Sequence, residues 1–137
     1  MATLCDTNIL IDLYGEGQQW NAWSRRAIAE AKRDGALMIN PIIYAEFSIG
    51  FPSAEAVDSV LDERVFEREP LPWHAGFDAA KAFVAYRRQG GEKRSPLPDF
   101  YIGAHAMQRG HRLLTRDTSR YRAYFPDLDI ISPEIHP

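Results

Sequence analysis

Apolar residues along this 137-residue chain fall into two patterns, short uncharged runs and longer stretches with helical spacing. Runs such as 2–5 and 36–39 have the length of a buried strand. Within 19–34, Trp20, Trp23 and the alanines that follow recur every three or four residues, which is typical of a buried helix face. The two patterns alternate along most of the chain. They therefore predict strands and helices in alternation.

Turn residues set the boundaries of these predicted elements. Gly35 and Gly110 follow helical stretches and indicate where they end, and Pro41 suits the first turn of a helix. The stretch 89–96, which contains two adjacent glycines, is predicted to be a flexible loop. The predicted strands are 2–5, 36–39, 112–115 and 128–131, with an ambiguous edge strand at 65–68, and the predicted helices are 8–14, 19–34, 41–50, 54–63, 73–89, 99–109 and 118–124.

Short strands separated by helices are typical of a parallel sheet with helices on both faces. No repeat or linker divides the pattern, so we expect one α/β domain that spans residues 1–137. In such folds, ligands bind beyond the carboxyl ends of the strands. Candidate chemistry is therefore expected where the predicted strands end.

The composition is that of an ordinary globular protein, with 45% hydrophobic and 26% charged residues. No apolar run approaches the roughly 20 residues that a membrane-spanning helix needs, and the N-terminus lacks the pattern of a secretory signal. The single cysteine, Cys5, cannot form an internal disulfide and is interpreted as a small buried hydrophobic residue. We therefore expect a cytoplasmic protein without a membrane partner.

The net charge of −3 conceals a strong asymmetry along the chain. Residues 1–80 have a net charge of −7, whereas residues 81–122 have a net charge of +7. Such a basic segment can form a phosphate-binding face. It can equally cover solvated helix faces or contact an acidic protein partner, and both interpretations stay open.

Four acids stand where acids are costly, inside or at the ends of apolar segments. Asp6 follows the first predicted strand, and Asp117 follows a later one. Glu46 is the only charged residue in 42–51, and Asp99 begins a predicted helix, where the helix dipole favours an anion. Because carboxylates are seldom buried without a partner, we expect the four side chains to meet.

Gathered carboxylates repel one another strongly. Two of them about 5 Å apart interact unfavourably by about 3 kcal/mol at an effective dielectric constant of about 20. That energy is large beside a typical folding stability of about 5–15 kcal/mol, so either some acids are protonated or a cation neutralises them. Oxygen ligands without histidine or cysteine suit Mg²⁺ or Mn²⁺ better than Zn²⁺. The pattern therefore favours a divalent-cation site.

Other groups are weaker candidates for chemistry. The four histidines show neither zinc-finger nor His-Glu-x-x-His spacing, and the sequence contains no Walker loop and no Gly-x-Ser-x-Gly elbow. His105 is interpreted as a packed core residue. Asp12, one helical turn after Asn8, is expected on an exposed helix face.

Four motifs occur in order across nearly the whole chain. They are Asp6-Thr7-Asn8 after the first strand, Glu46 in a following helix, the stretch Pro-Asp-Phe-Tyr-Ile-Gly-Ala-His-Ala at 98–106, and Thr115-Arg116-Asp117. Together they resemble the PIN-domain nucleases, and in size and order they look most like the VapC-type toxins of prokaryotic toxin–antitoxin pairs. Each motif is weak alone, but all four in this order make a strong signal. The resemblance implies a PIN-like α/β fold and a metal-dependent endoribonuclease.

Carried over to this sequence, the functional residues of that family fall into three groups. The catalytic acids, which would also hold Mg²⁺ or Mn²⁺, are Asp6, Glu46, Asp99 and Asp117. The residues that would hold carboxylates or water by hydrogen bonds are Asn8 and Thr115. The residues hypothesised to steer the RNA backbone are Arg94, Arg112 and Arg116.

The resemblance also implies partners. Small proteins of this family typically form homodimers and are held inactive by a cognate antitoxin, so we expect an RNA substrate, an antitoxin and a second copy of the chain. Three alternatives stay open. They are a PIN-type nuclease in RNA processing or acting on DNA, a magnesium-dependent phosphatase or phosphoacceptor domain with Asp6 as the acceptor, and an inactive binding module that keeps the fold.

Overall fold

Five short parallel strands form the centre of the protein, and this computed structural model describes residues 1–91 and 96–137. The strands in these ranges are β1 (Thr3–Cys5), β2 (Leu37–Ile39), β3 (Phe66–Arg68), β4 (Arg112–Leu114) and β5 (Ile130–Ile131). The helices are α1 (Thr7–Tyr14), α2 (Asn21–Asp34), α3 (Pro41–Ser48), α4 (Ala54–Val60), α5 (Trp73–Arg88), α6 (Leu97–Arg109) and α7 (Ser119–Tyr124). None of these helices is long and apolar enough to span a membrane.

The strand order β3-β2-β1-β4-β5 places β1 at the centre of the sheet. Neighbouring strands pair in parallel, and Leu4 of β1 lies opposite Met38 on one side and Leu113 on the other. From β1 the chain first builds β2 and β3 on one side, and later adds β4 and β5 on the other. The chain therefore leaves β1 toward one edge of the sheet and later continues from β4 toward the other, so the strand order reverses between β1 and β4. The carboxyl ends of these two strands border a crevice of the kind that binds ligands in open α/β sheets.

These elements confirm the predicted α/β fold with helices on both faces of a parallel sheet. The stretch at 65–68, which the sequence left ambiguous, forms the edge strand β3. Helix α6 begins at Leu97 rather than at Asp99, because proline is tolerated in the first helical turn and Pro98 lies there. Positions 92–95 of the predicted flexible loop lie outside the described residues.

Polar side chains begin two helices directly after strands. Asp6 is the N-cap of α1 and accepts a hydrogen bond from the backbone N–H of Thr7 at 2.7 Å. Asn40 is the N-cap of α3 and accepts from the backbone N–H of Ile43 at 2.9 Å. Each cap satisfies a backbone donor that has no partner inside the helix. Both helices therefore begin at the carboxyl-terminal edge of the sheet.

Helix α6 is embedded in the core through its middle. Phe100, Ile102 and Ala104 are fully buried. A β-carbon at Gly103 would lie 2.6 Å from the ring of Phe125, so the close approach of α6 to the end of α7 requires glycine there. Because α6 is packed this tightly, the position of its first turn, which carries Asp99, is well defined.

Asp12 corrects one expectation, because it is fully buried rather than exposed. Its carboxylate accepts hydrogen bonds from Arg116 Nε at 2.6 Å and Nη2 at 3.0 Å, and from the hydroxyl of Ser24 at 2.8 Å. Helical periodicity does not reveal a partner that lies 104 positions away in the sequence. This pair ties α1 to the segment between β4 and α7, which also contains Asp117.

We predict that Asp12→Ala lowers the free energy of unfolding by about 3 kcal/mol, because removal of one partner leaves the other charge uncompensated. Urea unfolding followed by circular dichroism measures this loss. The control is Glu63→Ala, which removes an ion pair with Arg68 in which the two side chains are 71% and 34% exposed. An exposed pair contributes less than about 1 kcal/mol, so equal losses in the two variants would contradict the role of Asp12.

Candidate active site

The four predicted acids lie around one cleft at the carboxyl ends of β1 and β4. The cleft has a volume of about 190 Å³. Its lining residues are Asp6, Thr7, Asn8, Ile11, Glu46, Asp99, Asp117 and Tyr121. Residues far apart in the sequence thus face a common space that is large enough for a hydrated ion.

Asp6 is the most completely surrounded of these acids, since it is only 5% exposed. Its Oδ1 accepts from the backbone N–H of Thr7. Its Oδ2 accepts from the hydroxyl of Thr115 at 2.8 Å and from the hydroxyl of Tyr121 at 3.1 Å. Three neutral donors therefore orient this carboxylate without neutralising its charge.

Burial raises the pKa of Asp6 to about 6, and the negative charge of Asp99 contributes to the increase. The hydrogen bonds from Thr115, Thr7 and Tyr121 act in the opposite direction, because they stabilise the ionised form. Burial also raises the pKa of Glu46, again with a contribution from the charge of Asp99. The acids therefore affect one another, and the ionised cluster is electrostatically unfavourable.

Thr115 connects three parts of the cleft through one hydroxyl group. The hydroxyl donates to Asp6 and accepts from the side-chain amide of Asn8 at 3.2 Å and from the backbone N–H of Asp117 at 3.1 Å. The amide oxygen of Asn8 in turn accepts from the backbone N–H of Arg116 at 3.2 Å. Thr115 thus holds a carboxylate directly, whereas Asn8 holds Thr115 and the backbone of Arg116. Their role beside a bound ion stays a prediction.

Glu46 reaches the cleft from the second turn of α3. Its Oε1 accepts a hydrogen bond from the hydroxyl of Thr7 at 2.8 Å. Thr7 lies inside the first motif, but the motif gives it no role of its own. Its position between Asp6 and Asn8 was the available signal, since a hydroxyl inside an acidic motif is a natural donor to a second carboxylate.

Tyr121 was also missed, although its hydroxyl contacts Asp6. It lies on α7 and is 2% exposed. Burial raises its pKa well above the ordinary value, and the charges of Asp6, Asp99 and Glu46 contribute to the increase. The phenol therefore stays protonated and acts as a donor. No local sequence signal distinguished Tyr121 from the other aromatic residues.

Asp99 differs from the other acids because it has a cationic partner. Arg120 Nη1 donates to Asp99 Oδ2 at 2.6 Å. Asp117, at the rim of the cleft, is exposed and accepts from the hydroxyl of Ser119 at 3.1 Å. Arg120 was not among the arginines selected from the sequence, although it lies in the basic segment.

The three arginines that were selected occupy different places. Arg94 lies outside the described residues. Arg112 begins β4 and contacts Thr3 and Asp34, so it lies at the opposite edge of the sheet from the cleft. Arg116 is paired with Asp12 and lies beside the ring of Trp20, 5.9 Å from its centroid. Contact of these residues with RNA stays a prediction.

A second cluster, outside the cleft, has the spacing of a metal site. Within the described residues, the one group of three potential ligands whose atoms all lie within 4.8 Å of one another is Glu69, His105 and His111. Glu69 Oε1 lies 2.7 Å from His105 Nε2 and 2.8 Å from His111 Nε2. These are hydrogen-bond distances. Whether the three residues form a metal site or a hydrogen-bonded network therefore depends on which ring nitrogens carry protons.

Asn40 decides the protonation of His105. Its amide oxygen accepts from the backbone N–H of Ile43, so its amide nitrogen faces His105 Nδ1 at 2.9 Å. Nδ1 must then accept, and the proton of the neutral ring lies on Nε2, where it donates to Glu69. A metal-binding histidine instead donates its second ring N–H to an acceptor. The arrangement therefore favours a buried hydrogen-bonded network, in agreement with the prediction that His105 is a core residue.

The cleft fits a divalent cation better than this second cluster does. Its four acids supply only oxygen ligands, as Mg²⁺ and Mn²⁺ prefer. A cation would also relieve the repulsion from Asp99, which adds to the effect of burial on the pKa of Asp6. In the described part of the chain, no three of these carboxylates reach the 4.8 Å spacing. Mg²⁺ does not require three such close ligands, because it usually binds through one or two carboxylates and keeps several waters.

Comparison with known proteins assigns the family. The sequence matches the model of the PIN domain family over residues 3–126. A comparison with curated protein sequences finds no significant match.

Solved structures share this fold over nearly their whole length. One is VapBC2 from Rickettsia felis bound to a DNA fragment from its promoter, with 18% identity, a TM-score of 0.74, and 96% of this chain and 98% of that chain covered. Another is a toxin–antitoxin complex from Klebsiella pneumoniae, with 25% identity, a TM-score of 0.64, and coverage of 96% and 97%. A third is the sarcin–ricin-loop-cleaving toxin VapC20 from Mycobacterium tuberculosis, with 14% identity, a TM-score of 0.67, and coverage of 88% and 94%. The fold, the order of the motifs and the match over most of the sequence agree: the chain belongs to the PIN-domain family.

Proposed function

We propose that this protein is a metal-dependent endoribonuclease that acts as the toxin of a toxin–antitoxin pair. The observation that carries the proposal is the presence of Asp6, Glu46, Asp99 and Asp117 around one cleft. Membership of the PIN-domain family supports nuclease chemistry, and the similarity to an RNA-cleaving toxin supports RNA as the substrate. Mg²⁺ or Mn²⁺, when bound, would polarise a phosphate oxygen and make water a stronger nucleophile.

Each protein group in the cleft has a role in hydrolysis that its geometry supports. Asp6, oriented by three donors, offers fixed anionic oxygens to the cation. Glu46 has a raised pKa and is oriented by Thr7, so it suits acceptance of a proton from the attacking water. Asp117 lies at the exposed rim, where it can orient water. Asp99, in the first turn of α6, completes the anionic wall.

We also propose that an antitoxin protein inhibits this chain. The support is the fold shared with proteins that were solved in toxin–antitoxin complexes. An RNA substrate is consistent with action in the cytoplasm. A PIN-type nuclease in RNA processing is the alternative function, and it differs from a toxin in leaving growth unaffected when the chain is expressed alone.

We predict that Asp6→Asn and Asp99→Asn reduce RNA cleavage by about 100-fold or more, since each removes an anionic oxygen from the proposed catalytic cluster. Cleavage is measured on single-stranded RNA with Mn²⁺ at neutral pH, and a DNA of the same sequence is tested in parallel. Expression of the wild-type chain without a partner should stop bacterial growth, whereas expression of either variant should not.

Glu69→Gln is the matched control for these variants, because it removes a carboxylate outside the cleft. We expect this variant to keep cleavage within a few-fold of the wild type, because glutamine keeps a side-chain oxygen that can accept the hydrogen bonds of His105 and His111. Full cleavage and full toxicity in Asp99→Asn would refute the proposed site. Preferential cleavage of DNA would refute the RNA assignment and leave the nuclease assignment intact.

The raised pKa of Asp6 predicts how Mn²⁺ stabilisation depends on pH. Protons and cations compete for this carboxylate, so the Mn²⁺-induced rise in melting temperature should be small at pH 5 and should increase as the pH rises through about 6. In the ion-free protein, the contribution of Asp6 to folding stability changes with pH in the opposite direction. The folded state binds more protons than the unfolded state between the two pKa values of Asp6, so this residue contributes less stability as the pH rises.

Thermal melting from pH 5 to pH 8, with and without Mn²⁺, measures both trends. A cation at about 100 times its dissociation constant adds about 2.7 kcal/mol of stability, which corresponds to a shift of several degrees. The shift should be lost in Asp99→Asn and kept in Glu69→Gln. Loss in Glu69→Gln alone would identify the cluster of Glu69, His105 and His111 as the ion site instead.

An exposed apolar face on α5 supports the proposed homodimer. Trp73 is 96% exposed, Phe77 is 66% exposed and Val84 is 46% exposed. These residues are four and seven positions apart, so they lie along one side of the helix. Aromatic residues are enriched at protein interfaces, and contiguous exposed apolar surface marks interaction sites. We propose that a second copy of the chain covers this face.

We predict that Phe77→Glu converts the dimer into a monomer, because burial of a carboxylate in an apolar interface is strongly unfavourable. Sedimentation velocity measures the molecular mass. The control is Ile49→Glu, which places the same charge on an apolar residue that is 82% exposed outside α5. A wild-type monomer, or equal dissociation in both variants, would contradict this assignment.

A further inference from the structure

Arg120 is the one cation that contacts any of the four cleft acids among the described residues. Its Nη1 lies 2.6 Å from Asp99 Oδ2. The neighbouring residue on α7, Tyr121, donates to Asp6 at 3.1 Å. Helix α7 therefore presents a positive charge and a neutral donor to the acidic cluster. Neither residue was assigned a role by the sequence motifs.

The ion pair has little to contribute to folding stability. The side chains of Arg120 and Asp99 are 34% and 29% exposed. Pairs with such access to solvent typically contribute about 1 kcal/mol or less, because water screens them and side-chain entropy opposes them. A contact of this kind is readily exchanged for another partner. The Arg120–Asp99 pair lies beside Asp6 and Glu46, so its role is to be sought in the cleft rather than in folding stability.

The remaining donors of Arg120 are available for a ligand. A guanidinium group has five N–H donors in a planar fork, and Asp99 uses one of them. The described residues give the others no hydrogen bond, and the guanidinium carbon lies 5.9 Å from the ring centroid of Tyr86. An aromatic ring at this distance supports a cation without occupying its donors. Paired N–H donors match the oxygens of a phosphate group.

Electrostatics connects Arg120 to cation binding. Asp99 lines the cleft with Asp6 and Glu46. Burial raises the pKa of those two acids, and the negative charge of Asp99 adds to both increases. Without a divalent ion, Arg120 partly compensates that charge. A divalent ion that takes the oxygens of Asp99 competes with Arg120 for them. The displaced guanidinium remains beside the cleft, where a phosphodiester must lie to be hydrolysed.

We propose that Arg120 exchanges partners during the reaction: Asp99 holds it in the ion-free protein, and a divalent cation releases it to bind a phosphate oxygen of the RNA. This role rests on the proposed nuclease function and assigns a specific substrate contact to it. Arg120 competes with the cation at Asp99 and assists the substrate. Its removal therefore has opposite effects on the two steps.

The test compares Arg120→Gln, Arg120→Lys and Arg122→Gln in the full-length chain. Arg122 lies on the same helix and pairs with Glu134, outside the cleft residues, which makes it a matched control. Titration calorimetry with Mn²⁺ alone should show about fivefold to tenfold tighter binding in Arg120→Gln, because a competing positive charge has been removed. Arg120→Lys and Arg122→Gln should bind Mn²⁺ like the wild type.

RNA cleavage at saturating Mn²⁺ provides the second measurement. The value of kcat for Arg120→Gln should fall about 100-fold, the effect of losing one donor to a developing negative charge. Arg120→Lys should recover part of the loss because it keeps the charge without the fork, and Arg122→Gln should cleave normally. A purely structural role would weaken Mn²⁺ binding and cleavage together.

Two results overturn the proposal. One is Mn²⁺ binding in Arg120→Gln that is unchanged or weaker, and the other is unchanged cleavage by that variant. Binding of RNA in the Glu46→Gln background, which lacks the proposed proton acceptor but keeps the carboxylates of Asp6 and Asp99, separates this proposal from the proposed function. There, Arg120→Gln should lower RNA affinity in the presence of Mn²⁺. A wild-type chain that neither binds nor cleaves RNA would instead refute the proposed function as an endoribonuclease. The calorimetry with Mn²⁺ would still decide whether the cation displaces Arg120.

Discussion

The hydrogen bond from the hydroxyl of Thr115 to the carboxylate of Asp6 joins the two strands on which the site depends. The residues are 109 positions apart, yet the parallel pairing of Cys5 with Leu114 makes them neighbours just beyond the ends of β1 and β4. The same hydroxyl accepts from Asn8 and from the N–H of Asp117. A one-residue slip in this register would turn every side chain to the other face of the sheet. The geometry of the cleft therefore follows from that pairing.

A second constraint is the repulsion that the cleft maintains. The protein surrounds Asp6 with neutral donors and leaves its pKa raised by burial, rather than pairing it with a cation. Among the cleft acids in the described residues, Arg120 forms an ion pair only with Asp99, and both side chains are partly exposed to solvent. Ionisable groups with shifted pKa values are concentrated at functional sites, because catalysis requires pKa values that suit the reaction. Binding of a divalent cation, as proposed for this cleft, would relieve the electrostatic repulsion among these acids.

The buried network outside the cleft has a complementary role. Asn40 caps α3 and contacts His105 on α6, and His105 contacts Glu69 after β3. Helix α3 carries Glu46, and α6 carries Asp99. A satisfied polar network in a low-dielectric core specifies one arrangement of the elements that it joins. The network thus helps to set the distance between two walls of the cleft, although it contains no cleft residue itself.

The sequence by itself determined the class of fold, the order of the elements and the four acids around the cleft. Each of these is recorded locally, as a hydrophobic period, a turn residue or a charge inside an apolar run. Only the tertiary structure showed that Thr7, Tyr121 and Arg120 contact those acids, and that Asp12 is buried against Arg116. A hydroxyl or guanidinium group has many possible partners along a chain. Which one it meets depends on how strands align and helices pack, and local patterns contain no information about those long-range distances.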